Sequence, residues 1–557
     1  MLFATFDFLL FLVPVFAGYW ALAGRPLARG TLLLAASYFF YAAGPKPVSG
    51  PLPPPWTFLG LLVASTLVDY VCSLRIEAAR AAFRSTRFWL VVSVVANLGT
   101  LCLFKYAGFA SEVARELSGL LGVRAAIPAV HLALPIGISF YTFQSLSYTL
   151  DVYRGRVRAE RDPVRFALYV AFFPQLVAGP IVRADELLPQ LARPPRLTRA
   201  DVDVALYRIA KGVVKKTVFG DFVAASFTDR VFATPLAWSS LENLLALCAF
   251  TLQIYADFSG YSDIAIGTAR LFGVILPENF ERPYQAHDIA DFWRRWHMTL
   301  SRWLRDYVYY PLGGSRLGTA RTAVNLAITM LLVGLWHGAG WTFVAYALLH
   351  AFAMVFNRLM RTREGASRWR FGRLAAAAVS GFSAAALLDV LVLKLGMAVT
   401  FGTGGAAVAL LIAALPSPER ATPWRIPHVA LTLAFSVLSR LFFRADDLGT
   451  ARDMASMLAH PDGLGVRSGL LGNQPLEALL GGIPSLAWLQ PAAKWCVLWI
   501  MLLGFALHYV PERFLERVAG GLLDRVPGPI VGAGLAAVLG VTLLLLSGPR
   551  ANIYFAF

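Results

Sequence analysis

The sequence predicts an all-α, polytopic membrane protein, and three observations support that class. Hydrophobic residues occupy 57% of the 557 positions and charged residues only 15%, too apolar a balance for the surface of a soluble protein. The mean hydropathy is +0.61. Many apolar stretches are long enough to cross roughly 30 Å of hydrocarbon as a helix. We therefore expect roughly 11–13 transmembrane helices in one domain over 1–557, with core motifs in 130–360.

The apolar stretches that predict these helices are distributed along the whole chain, and some are double-length or interrupted. They cover 3–23, 30–44, 57–74, 88–108, 131–150, 241–256, 322–357, 374–415, 428–443, 491–510 and 527–547.

Basic residues follow alternate apolar stretches, which is the pattern of cytoplasmic loops in membrane proteins. The net charge of +17 is consistent with this topology and with contact to lipid headgroups. An alternative interpretation is that the charge forms a docking surface for an acidic cytoplasmic donor. The charge is spread over many loops and no nucleic-acid-binding motif is present, so nucleic acid is not an expected partner.

Two segments have basic residues on both sides and therefore should begin and end in the cytoplasm. The apolar piece 166–182 is too short to cross the membrane twice and contains Pro174 and Pro180, which predicts a re-entrant segment. The longer run 322–357 follows Arg321 and precedes Arg358. It is therefore predicted to be a helical hairpin.

The apex of the predicted hairpin lies at His337-Gly-Ala-Gly340. An ionisable side chain inside the membrane costs free energy and suggests function, and an imidazole exchanges protons near neutral pH. Position alone leaves open whether His337 takes part in chemistry or hydrogen-bonds between helices.

Residues 276–314 form a polar and aromatic block, which is helical in period from Asp288 onward. Either Asp288 or Asp291 could cap the helix. We expect an interfacial amphipathic helix with His297 at the boundary between its two faces, near Arg294 and Arg305. Its apolar face comprises Trp293, Trp296, Leu300, Trp303, Leu304 and Tyr307, and its polar face Arg295, Arg302 and Asp306.

Asp257 lies four residues after Gln253 in an otherwise apolar run, so the two share a helix face. Two interpretations of Asp257 remain open. It could orient a histidine or arginine, or it could tether a neighbouring helix.

Two long motifs in series carry a resemblance to a known family. They are Asp291-Phe-Trp-Arg-Arg-Trp-His-Met-Thr-Leu-Ser-Arg-Trp-Leu-Arg-Asp-Tyr-Val-Tyr-Tyr-Pro-Leu-Gly-Gly314 and Gly334-Leu-Trp-His-Gly-Ala-Gly-Trp341. Further matches include Pro135-Ile-Gly-Ile-Ser-Phe-Tyr-Thr-Phe-Gln144 and Leu441-Phe-Phe-Arg-Ala445. In order and over most of its length, the chain resembles the membrane-bound O-acyltransferase family, and more narrowly its bacterial alginate O-acetylase branch.

The resemblance implies the family's membrane fold and acyl transfer from a cytoplasmic thioester to a hydroxyl on the other side of a bacterial inner membrane. The family's two histidines correspond to His297 and His337, with His337 the general base. We expect Trp336, Asp257, Arg294 and Arg305 as substrate-binding residues. No metal or bound cofactor is expected; the donor would be acetyl-coenzyme A or an acyl carrier protein thioester. The expected partners are membrane lipid and a polysaccharide or periplasmic acyltransferase.

Two other functions compete with this interpretation. A transporter could use His337 and Asp257 as a proton relay, although the sequence contains no inverted repeat. A non-catalytic scaffold of a secretion complex is the third possibility, against which the presence of both histidines argues.

Overall fold

The computed structural model describes residues 3, 5–44, 55–122, 126–130, 132–361, 425–459, 465–466 and 495–511, with isolated positions 514, 530, 534 and 540. Every regular element within these residues is helical. The predicted helix at 374–415 lies outside the described residues, and so does almost all of 527–547. The chain divides into two compact units.

The first unit comprises Met1–Thr217, Ala256–Asn279 and Glu512–Phe557. Its first five helices are long, and several of the helices that follow are short. They are α1 Phe6–Ala21, α2 Pro26–Ala42, α3 Pro55–Ala81, α4 Arg87–Leu120, α5 Ile138–Tyr153, α6 Pro163–Ala171, α7 Phe173–Leu176, α8 Ala184–Ala192 and α9 Arg199–Val214, followed by the last part of α11 Ser240–Leu271.

A buried polar network joins three of these helices. Asp69 on α3 is fully buried and accepts hydrogen bonds from Asn97 Nδ2 of α4 at 2.9 Å and from Thr149 Oγ1 of α5 at 3.2 Å. The Ser93 hydroxyl donates to the same carboxylate. Because a buried carboxylate is costly unless it is hydrogen-bonded, these contacts fix the relative positions of the three helices.

Helices α9 and α11 approach closely through glycine and are joined by charge. A Cβ on Gly212 would lie 2.5 Å from the carbonyl oxygen of Gly260, so only glycine permits this backbone approach. Three cations converge on the buried Asp263 carboxylate, at 2.7, 3.2 and 2.8 Å respectively: Arg208, Lys211 and Lys215.

The neutralised carboxylates explain why α11 is longer than the sequence predicts. The apolar stretch was expected to end at 256, whereas the helix continues to Leu271. Asp257 and Asp263 lie within that extension, and each is paired with a cation of the preceding segment. A paired carboxylate can remain inside an apolar helix bundle.

The proline-containing segment 166–182 folds into two short helices. Helix α6 ends at Ala171, and Pro174 occupies the first turn of α7, where the missing N–H costs nothing. Residues 168–182 are buried throughout. The predicted break in the helix is therefore present.

The second unit comprises Val218–Tyr255 and Phe280–Pro511. It contains the π-helical segment Ala224–Thr228 and helices α10 Asp229–Ala233, α12 Ile289–Arg295, α13 Met298–Leu304, α14 Gly318–His337, α15 Trp341–Arg361, α16 Arg425–Arg444, α17 Leu448–Ala459 and α18 Cys496–Tyr509, with the first part of α11.

Six helices in the described part of the chain are long and apolar enough to cross a membrane. They are Trp56–Ala81, Arg87–Leu120, Ser240–Leu271, Gly318–His337, Trp341–Leu359 and Ile426–Arg444. Phe6–Ala21 and Cys496–Tyr509 are shorter apolar helices. The protein is therefore an all-helical, multi-pass membrane protein, as its composition predicts.

Candidate active site

The predicted hairpin is present and places His337 at its turn. Helix α14 ends at His337 and α15 begins at Trp341. A Cβ on Gly334 would lie 2.5 Å from the Ala347 Cβ, so this glycine allows the two helices to pack closely. A Cβ on Gly338 would lie 2.0 Å from the Phe343 ring. Glycine in the turn thus makes room for an aromatic ring directly beside His337, which is itself buried.

His297 occupies a break between two helices rather than one face of a continuous helix. Helix α12 ends at Arg295, α13 starts at Met298, and His297 has the left-handed angles φ 44° and ψ 55°. That conformation costs a non-glycine residue roughly 1–2 kcal/mol. The expected amphipathic helix is therefore wrong in its continuity, although its apolar face is buried as expected.

The break changes the environment of His297 from that expected. The side chain is fully buried instead of lying at a solvated interface. Burial lowers the pKa of His297 to about 3, because the imidazolium cannot be hydrated there. His297 is therefore a neutral imidazole at pH 7, with one ring nitrogen able to donate and the other able to accept.

Trp336 lies between the two histidines. Its ring centroid is 5.3 Å from that of His297 and 5.0 Å from that of His337, and both contacts are edge-to-face. The structure thus brings together three of the six predicted site residues. We call His297, Trp336 and His337 the ring cluster.

The start of α12 is held by a set of charged contacts that supports the position of His297. Asp288 caps α12 by accepting from the Asp291 backbone N–H at 2.8 Å, and its carboxylate also accepts from Asn357 of α15 at 3.0 Å. Burial alone would raise the pKa of Asp291, but His287 and Arg295 outweigh it and hold that pKa below its usual range. These contacts tie α12 to the hairpin.

The other predicted binding residues make ion pairs outside the ring cluster. Arg294 lies 3.6 Å from Asp291 and Arg305 lies 3.0 Å from Asp306, and both side chains are more than half exposed. Asp257 belongs to the first unit, where its carboxylate lies 2.5 Å from Lys216 Nζ. This pair matches the tethering interpretation of Asp257, with a lysine as the partner.

Helix α16 contributes two residues that were not predicted as site residues, although one of them, Phe443, lies in the matching motif Leu441–Ala445. The Phe443 ring lies 5.0 Å from the His337 ring. One turn earlier, the buried Arg440 guanidinium lies 4.8 Å from the Trp296 ring. An arginine inside an apolar helix is the sequence signal that could have found this part of the site.

A third histidine, His350, is buried on α15. Its Nε2 lies 3.2 Å from Ser439 Oγ, and its ring is 4.3 Å from that of Tyr346. Tyr346 in turn lies 6.4 Å from the His337 ring. These contacts link α15 to α16 beside the ring cluster.

Comparison of the sequence with known proteins identifies a family to which the chain is similar. The model of the MBOAT, membrane-bound O-acyltransferase family, matches residues 154–367, which include the ring cluster. The chain is 41% identical over 369 residues to a probable alginate O-acetylase of Azotobacter vinelandii, covering 65% of this chain and 69% of that protein.

Two further relatives carry different acceptors in their names. A peptidoglycan O-acetyltransferase of Helicobacter pylori is 36% identical over 393 residues, covering 64% of this chain and 70% of that protein. A teichoic acid D-alanyltransferase of Bacillus subtilis is 29% identical over 253 residues, covering 43% of this chain and 63% of that protein. The chain belongs to the membrane-bound O-acyltransferase family, in the branch of the alginate O-acetylases, and is an acyltransferase of the membrane.

Proposed function

We propose that the protein transfers an acyl group, with acetyl the first candidate, from a cytoplasmic thioester to a hydroxyl beyond a bacterial inner membrane. The acceptor is an exported polysaccharide or a periplasmic acyltransferase that passes the group on. The observation that carries the proposal is the buried contact series from His297 through Trp336 to His337 at a hairpin turn. The donor is acetyl-coenzyme A or an acylated carrier protein.

The proposed reaction uses His337 as a general base. The acceptor oxygen attacks the thioester carbonyl carbon while the His337 imidazole takes the hydroxyl proton. The resulting tetrahedral intermediate collapses, the carbon–sulfur bond breaks, and the leaving sulfur takes the proton from His337. An ester and a free thiol result, and His337 returns to its neutral form.

His297 has a separate role in this proposal. As a neutral imidazole it can donate a hydrogen bond to the negative oxygen of the intermediate, and backbone N–H groups near Gly338 and Gly340 are alternative donors. The competing transporter function requires Asp257 to serve in a proton relay with His337, whereas the Asp257 carboxylate is paired with Lys216 Nζ at 2.5 Å.

Labelled acetyl-coenzyme A tests the proposal in membranes that contain the protein and its native polysaccharide machinery. We expect His337→Ala to abolish labelling of the polysaccharide at matched expression. The control is His428→Gln, which removes a buried histidine of α16 roughly 18 Å along the helix from Arg440. Labelling by His337→Ala at the wild-type rate overturns the assignment. Labelling that requires an acyl carrier protein instead identifies the second donor class.

A further inference from the structure

Arg440 is a buried cation on α16 that the reaction outlined above does not use. Its side chain is only 1% exposed, and it lies on a helix apolar enough to span a membrane. Removing a guanidinium from water is energetically costly unless its surroundings compensate. The residues around Arg440 therefore indicate what its charge does.

Aromatic rings and the hydroxyls of Tyr346 and Tyr284 surround the guanidinium. Its carbon lies 4.8 Å from the Trp296 ring centroid and 5.6 Å from that of Phe443. Nη1 donates to the Tyr346 hydroxyl at 3.4 Å. Cation–π contacts stabilise a desolvated guanidinium, and they leave its positive charge in place.

Three of these contacts lead to residues of the ring cluster. Phe443 and Tyr346 lie 5.0 and 6.4 Å from the His337 ring, and Trp296 directly precedes His297 in the chain. Arg440 and His337 thus both contact the Phe443 ring, at 5.6 and 5.0 Å from its centroid. At such a distance a charge in a poorly hydrated interior still interacts strongly.

The titratable groups nearest His337 lie on three different segments of the chain. His297 lies beyond Trp336, Tyr346 and His350 lie on α15, and Arg440 lies on α16. Among these residue types, only arginine carries a positive charge at every working pH. The field at His337 therefore includes a fixed positive contribution from α16.

We propose that Arg440 is a positioning residue whose permanent charge keeps His337 in its proton-accepting form and favours the negative oxygen of the acyl-transfer intermediate. The inference rests on the proposed function. Before attack, a nearby cation disfavours the imidazolium form of His337, so the base is available. As the carbon–oxygen bond forms, the same charge attracts the electron pair displaced onto the carbonyl oxygen.

Variants that separate charge from packing test the proposal, with label transfer from acetyl-coenzyme A as the assay. Arg440→Met keeps length and apolar contact but removes the charge, and we expect its kcat to fall roughly 10- to 100-fold while KM for acetyl-coenzyme A stays within about twofold. Arg440→Lys retains the charge and should keep most of the rate. A purely structural Arg440 predicts the opposite order, because apolar replacement of a buried charge is often neutral or stabilising. Equal or higher activity of Arg440→Met than of Arg440→Lys overturns the proposal.

The pH dependence of the rate supplies a second readout. Without the cation, His337 binds a proton more readily, so the pH of half-maximal rate should move upward in Arg440→Met by about one unit. Arg444→Met is the matched control one turn away, where the arginine pairs with Asp229 at 3.1 Å. It should change stability without moving that pH, and an equal shift in both variants contradicts the proposal.

Two further variants keep the outcomes distinct. Arg440→Gln provides a second neutral side chain if size-exclusion chromatography in detergent shows that Arg440→Met is misfolded. His337→Ala is measured alongside. If His337→Ala keeps wild-type activity, the proposed function itself is contradicted. If His337→Ala is inactive while both neutral Arg440 variants keep the wild-type rate and pH profile, only the role of Arg440 is wrong.

Discussion

At the scale of single residues, the site depends on a histidine held in an uncommon conformation. His297 has a left-handed backbone and lies fully buried against Trp336. Strained residues of this kind persist only where the surroundings determine them strongly. Here the preceding helix is capped by Asp288, and the Asp288 carboxylate is in turn bound by Asn357. The strain at His297 is consistent with a residue whose ring must point in one direction.

The pKa of His297 predicts a pH dependence of stability. Burial lowers it to about 3, whereas an unfolded histidine titrates near 6.5. Between these values the unfolded chain binds more protons, so stability falls as the pH decreases below about 6.5. We expect this single group to destabilise the protein by at most about 1.4 kcal/mol per pH unit.

Thermal unfolding in detergent between pH 7 and pH 5 measures this effect. His297→Gln lacks the titrating ring, so its melting temperature should decrease less over that interval than that of the wild-type protein. Identical decreases in the two proteins contradict the assignment of a buried, neutral His297.

At the scale of elements, periodicity predicted burial better than it predicted backbone continuity. Trp293, Trp296 and Leu300 were expected on one apolar face, and all three are buried. The same spacing gave no indication that the helix breaks at His297, because periodicity reports which side chains face the interior and not whether successive carbonyls bond in register. The hairpin was predictable because charge at both ends and doubled apolar length constrain it.

The contributions of Arg440 and Phe443 could not be predicted in the same way. Both lie on α16, more than eighty residues after the His337 motif, and no local pattern links the two segments. Tertiary packing alone brings Phe443 within 5.0 Å of His337. Arg440 was detectable only as a charge in an apolar run, a signal that suggests function without naming a partner.

Close packing of the hairpin gives a prediction at this scale. An added Cβ at Gly334 would lie 2.5 Å from the Ala347 Cβ and 2.6 Å from the Phe343 carbonyl oxygen, and backbone atoms cannot yield without moving α15. We therefore expect Gly334→Ala to destabilise the protein by about 1–3 kcal/mol and to lower acyl transfer by displacing His337.

The control for this substitution is Gly99→Ala on α4, where an added Cβ meets no atom within 4 Å. It should leave activity intact and be neutral or stabilising by up to about 1 kcal/mol. Melting temperature and label transfer, measured on both variants, check the prediction. A Gly334→Ala protein as stable and active as Gly99→Ala would mean that the helices are not in close contact at this point.

At the scale of the whole molecule, the ring cluster belongs to the same compact unit as Arg440 and Phe443 of α16. That unit comprises Val218–Tyr255 and Phe280–Pro511. The family match ends at residue 367, so Arg440 and Phe443 lie beyond it. The site therefore extends past the segment that the family model matches. The other unit contains its own charged centre at Asp263, which holds α9 to α11.

The orientation of the chain in the membrane gives the last prediction, because the proposed reaction needs a donor on one side and an acceptor on the other. The exposed turn between α3 and α4 is flanked by four arginines, Arg75, Arg80, Arg84 and Arg87. The positive-inside rule assigns this turn to the cytoplasm. The preceding proline-rich loop, which includes Ser49 and lies outside the described residues, should then face outward. In a protein whose four native cysteines are replaced, a membrane-impermeant thiol reagent applied to intact cells should label Ser49→Cys and not Ser85→Cys. Ser85→Cys should react only after the membrane is permeabilised. The reverse pattern would place the basic turn outside and would contradict a cytoplasmic origin for the acyl donor.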